Sequence, residues 1–113
     1  MSLPYSLLIL LVAALLEATG DAIVRNGQKA PTSFSRVGFF LIGALVLFAY
    51  GYIVNAPPWD FGNLLGVYVV FFFITAQLIS FILFHTRPSM STLIGGAFIV
   101  VGGIIISIGS VAR

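Results

Sequence analysis

Four apolar stretches, at approximately 4–25, 36–54, 62–84 and 89–111, divide a chain of 113 residues and leave little of it outside them. Each is close to the ~20 residues a helix needs to cross ~30 Å of hydrocarbon at ~1.5 Å per residue. With 60% hydrophobic and 7% charged residues, no water-soluble globule of this length has enough interior to hide its apolar surface. The expected fold class is therefore an all-α membrane protein, a single domain over 1–113 with four transmembrane helices.

The breaks between the stretches carry turn chemistry. Asn26 to Pro31 is expected to close the first helix, Asn55 to Pro58 the second and His85 to Ser89 the third, with Ser89 or Ser91 capping the fourth. Trp59 and Tyr5 are expected at headgroup level, and Tyr50 and Tyr52 to act as interfacial anchors. The first stretch has no basic segment before it, which argues against a cleaved signal peptide.

Lys and Arg lie unevenly. Arg25, Lys29, Arg36 and Arg87 flank the first and third breaks, against Arg113 alone on the other side. The positive-inside rule then predicts that the loops at 26–35 and 85–89 are cytoplasmic and both termini external.

Inside the first stretch sits Glu17, about 20 Å along the axis from Pro4. An ionised side chain in hydrocarbon costs at least ~2.5 kcal/mol, so it must face protein or water, and function is the default reading. Leu10, Ala13, Ala14, Gly20 and Asp21 share its face, and most are small enough to let a helix or a ligand approach. A carboxyl that water does not fully solvate holds a proton readily, and a cation can displace that proton. The competing reading makes Glu17 a hydrogen-bonded structural contact. For Asp21, one turn on, an i,i+4 ion pair with Arg25 is the simpler account. The alternative places Asp21 in the pocket, which would suit a polycationic substrate.

On the third helix Tyr68 and Thr75 fall at i and i+7, with Phe72 between them, offering an aromatic wall and a hydroxyl to a cation. On the fourth, Gly95, Gly102 and Gly109 recur every seven residues, beside Gly96 and Gly103. Two rows of small residues make a packing surface, either within the chain or against a second copy. Four helices alone enclose little space, so a substrate-sized chamber points to a dimer in which both copies of Glu17 converge.

No cofactor or metal is expected: the chain has no cysteine and one histidine. Five scattered basic residues make no nucleic-acid footprint. Neither a nucleophile beside a base nor a phosphate-cradling loop is present, so an enzyme is not expected.

These features resemble the small multidrug resistance family within the drug/metabolite transporter superfamily. The likeness rests on four spans in a short chain, E-x-x-G followed by a basic residue (Glu17, Gly20, Arg25), F-x-x-R (Phe84, Arg87) and the glycine heptad. Gly66-Val67-Tyr68-Val69 and the same E-x-x-G also resemble the YnfA-like inner-membrane proteins. The resemblance implies a proton-coupled antiporter of the bacterial inner membrane, exporting small cationic or amphipathic compounds, with Glu17 as the acid for which protons and substrate compete. It also implies a dimer, homodimeric or heterodimeric, that meets through Gly95, Gly96, Gly102, Gly103 and Gly109 and is surrounded by membrane lipid. Antiparallel dimers inserted both ways are usual in that family, which the four-to-one charge bias does not favour. Gly43 stands where the drug exporters carry an aromatic, and Tyr68 where they carry Trp, which lessens the case for flat dyes as ligands. A lipid-carrier flippase subunit and a non-transporting structural membrane subunit are the alternatives.

Overall fold

The computed structural model describes residues 1–112, with side chains through Gly109, so Arg113 of the charge count lies outside it. The chain forms four helices, α1 (Leu3–Gln28), α2 (Ser33–Val54), α3 (Phe61–Phe84) and α4 (Met90–Ala112). All four are long and apolar enough to cross a membrane, and the protein is a multi-pass membrane protein.

Each helix starts or stops for a local reason. Ser2 caps α1, its hydroxyl accepting from the Tyr5 N–H, and Pro4 stands in the first turn where no N–H is needed. The helix runs on through Gln28, further than the turn residues predict. Gly27 is no turn glycine: it is buried inside α1, where a Cβ would come within 2.8 Å of Phe39 and Phe40 of α2. Pro31 then ends the path, and Thr32 caps α2 by accepting from the Ser35 N–H at 3.1 Å, which is why α2 starts at Ser33. Ser89 is the cap of α4, accepting from the Thr92 N–H at 3.2 Å.

The helix backbones pack in the order α2, α1, α3, α4, giving a flattened body of 52 × 33 × 19 Å. Small residues set the separations. At the α1/α2 crossing a Cβ on Gly20 would lie 2.7 Å from Leu47, and one on Gly43 would lie 2.6 Å from Val24 and 3.4 Å from the Gly20 carbonyl. The α3/α4 pair is built antiparallel from complementary steps: Phe73 fills the space at Gly96, Val70 that at Gly103, and Ile106 that at Gly66.

The two glycine rows of α4 therefore part company. Gly96 and Gly103 are buried against α3, whereas Gly95, Gly102 and Gly109 meet nothing within 4 Å. Of the five positions expected at a dimer contact, two are occupied by packing within the chain. The core lies around α1, where Leu10, Ala13 and Ala14 are wholly buried and pack with Val54, Leu64, Val67 and Tyr68. Trp59 packs on the edge of this cluster, while Tyr5 is exposed.

Candidate functional site

α1 presents Glu17 to α3. The small side chains of Ala13, Ala14 and Ala18 bring α3 close, and Tyr68, 4% exposed, reaches across to meet the acid. The Tyr68 hydroxyl donates a hydrogen bond to Glu17 Oε1 at 2.9 Å. Glu17 itself is half-buried. No basic side chain forms an ion pair with it among the described residues, so a neutral hydroxyl is the group that meets its charge.

Behind Tyr68 stands a run of rings. Tyr50 of α2 lies 5.6 Å from Tyr68, centroid to centroid, and Phe72 lies 6.3 Å away on the other side, both within the range of favourable aromatic pairs. Tyr50 thus packs against the ring of the site residue Tyr68. Its neighbour Tyr52 is 78% exposed and keeps the outward position. Position on α2 explains the difference: Tyr50 follows Gly43 by seven residues, so both lie on the face turned to α1, with Leu47 between them and Val54 one turn on. The seven-residue spacing is in the sequence, but only the burial of Gly43 shows which face it marks. Thr75 is buried at 3% exposure, two turns along α3 from Tyr68.

Gly43 faces Val24, Ile23 and the Gly20 carbonyl at the α1/α2 crossing. An aromatic there would force the two helices apart.

Beyond Glu17, toward the end of the molecule that carries Arg25 and Lys29, a cavity of about 320 Å³ opens between α1 and α3. Asp21 lines it, together with Ala18, Ala22, Phe72 and Ser80. The expected Asp21–Arg25 ion pair does not form. Arg25 instead places its guanidinium 5.6 Å from the centre of the Phe84 ring, with the Lys29 ammonium 5.7 Å from the same ring. Arg87 sits over Phe81 at 6.0 Å. These contacts join the end of α1 to the end of α3 and gather the basic residues on one side. There α3 ends in a left-handed turn at His85 (φ 56°), the N–H of Thr86 donating to the Ser80 carbonyl, and Thr86 completes the cavity rim.

No family model matches the chain, and no solved structure matches it. It is 26% identical over 103 residues to a UPF0060 membrane protein from Herpetosiphon aurantiacus, covering 89% of this chain and 91% of that protein. The similarity runs nearly end to end and is to a membrane protein, as the four spans require.

Proposed function

We propose that the protein is a proton-coupled secondary transporter that exports small cationic or amphipathic compounds, with Glu17 as the shared site for proton and substrate. One observation carries the reading: a carboxyl within a membrane span hydrogen-bonds to a neutral hydroxyl, Tyr68, and has no basic partner among the described residues. A charge so placed must be neutralised reversibly, by a proton or by a cation, because leaving it bare in hydrocarbon costs several kcal/mol. The two neutralising partners exclude each other. Binding of one releases the other, and access alternating between the two sides turns that competition into exchange.

The surrounding groups suit a cation. The Phe72 ring lines the adjoining cavity and offers a π face there, and Asp21 in the same cavity adds a second negative charge on the path to the basic end. The positive-inside rule puts that end in the cytoplasm of a bacterial inner membrane, which makes the cavity the loading side. The chamber is completed by a second copy, or a related chain, meeting the outward glycines of α4.

The test is proton release from detergent-solubilised protein in weak buffer, on addition of guanidinium, polyamine or quaternary ammonium compounds. Release from the native protein that vanishes in Glu17→Gln, with assembly intact, is the expected result. Release that persists in Glu17→Gln removes the acid from the mechanism. No release from the native protein, with Glu17→Gln altering only assembly, returns Glu17 to a packing role.

A further inference from the structure

The cavity between α1 and α3 carries charges of both signs. Asp21 and Arg25 line it one helical turn apart, about 6 Å of rise, the spacing at which opposite charges on a helix ordinarily pair. Here they do not: Arg25 lies over Phe84, and no ion pair joins it to Asp21 among the described residues. Each charge therefore borders the same space with its pairing capacity unspent.

From this arrangement we infer that the cavity binds the zwitterionic group of a small molecule, an amine joined to a phosphate or carboxylate about 6 Å away, matching one turn of helix. The ammonium meets Asp21 at the deeper end and the anion meets Arg25 at the rim. Ser80 and Thr86 line the same cavity with hydroxyl-bearing side chains, while Phe72 and Ile79 form an apolar wall for a short aliphatic portion. Lys29, over the same Phe84 ring as Arg25, strengthens the positive potential at the rim. Size agrees: about 320 Å³ stands at the low end of the ~300–1,000 Å³ typical of ligand pockets, enough for a headgroup. This site is separate from Glu17, which is not among the lining residues, and it stands whether or not Glu17 exchanges protons. The same chemistry can come from a free metabolite or from an aminophospholipid headgroup.

Calorimetric titration of the full chain in an uncharged detergent tests it, with O-phosphoethanolamine and lysophosphatidylethanolamine as zwitterions and ethylammonium and ethyl phosphate as their halves. At least one zwitterion should bind tenfold or more tightly than either half. Arg25→Gln should lower that affinity tenfold without weakening ethylammonium. Asp21→Asn should lower it equally without weakening ethyl phosphate. Arg25→Lys, which keeps the charge, should retain the zwitterion preference and guards against a folding defect in the neutral variant. Arg87→Gln, outside the cavity, should alter nothing. Binding of both zwitterions places the recognition in the headgroup alone, and binding of the lysolipid alone assigns the ligand to the membrane. Ethylammonium binding as tightly as the zwitterions, Arg25→Gln weakening every ligand alike, or no zwitterion binding overturns the inference.

Discussion

Tyr68 and Glu17, 51 residues apart in the chain, meet at 2.9 Å as donor and acceptor between α3 and α1. The contact ties the acid to the aromatic run formed by Tyr50, Tyr68 and Phe72, so that three helices converge on one carboxyl. A neutral donor can support an ionised acid without cancelling its charge. That leaves the charge available to a mobile partner, which a fixed Lys or Arg would not.

Removing that donor should impair exchange without abolishing it. Hydrogen bonds to charged groups are worth about 1.5–3 kcal/mol, and even the lower figure corresponds to roughly a tenfold change. Tyr68→Phe is therefore expected to raise the cation concentration needed for half-maximal proton release about tenfold at fixed pH. Fluorescence or calorimetric titration beside the native protein checks this, and an unchanged midpoint would show that the hydroxyl contributes only packing.

The four spans were legible because hydropathy alone decides them, and Glu17 because an acid in hydrocarbon is costly wherever the helices pack. The rest depends on helix rotation and neighbours, which a single chain's spacing specifies weakly. Gly27 reads as a turn residue beside Asn26 and Pro31, yet α2 returns so closely that the missing side chain serves packing against Phe39 and Phe40. Tyr50 and Tyr52 look alike in sequence, and only the burial of Gly43 fixes which one faces inward. Asp21 and Arg25 have the right spacing to pair, but spacing could not foresee that Phe84, at the far end of another helix, would compete for the guanidinium. The glycine rows were recognisable as packing surfaces; which row met α3 was not.

A methyl group at Gly43 should fit only if its neighbours on α1 give way. An added Cβ lies 2.6 Å from Val24 Cγ2, a distance real Cβ atoms do not adopt, so α1 and α2 must separate or Val24 must shift. Overpacking of this kind costs typically ~1–3 kcal/mol. Gly43→Ala is expected to unfold at correspondingly lower denaturant in mixed micelles, whereas Gly38→Ala, with nothing within 4 Å, should match or slightly exceed the native stability.

His85 occupies the left-handed region at the end of α3 (φ 56°), which disfavours residues with a Cβ by ~1–2 kcal/mol. His85→Gly should relieve that strain, offset in part by the extra freedom glycine gives the unfolded chain. A net gain of about 0.5–1 kcal/mol in unfolding free energy is expected, with proton release unchanged. A loss of stability would mean that the imidazole makes a contact worth more than the strain.

The outward and inward glycines of α4 should respond differently to the same added methyl. Gly103→Ala drives a Cβ into Val70 and should loosen α4 from α3 within each chain, lowering stability by ~1–3 kcal/mol whatever the protein concentration. Gly102→Ala and Gly109→Ala meet no atom within 4 Å in the single chain, so they should leave that stability unchanged. If a second copy packs closely along this row, as close backbone approach at small residues permits, the same two variants should weaken self-association roughly tenfold. Energy transfer between labelled chains, diluted stepwise in detergent, reads that change directly. Association unaffected by Gly102→Ala and Gly109→Ala together would move the dimer contact to another face and leave these glycines to lipid.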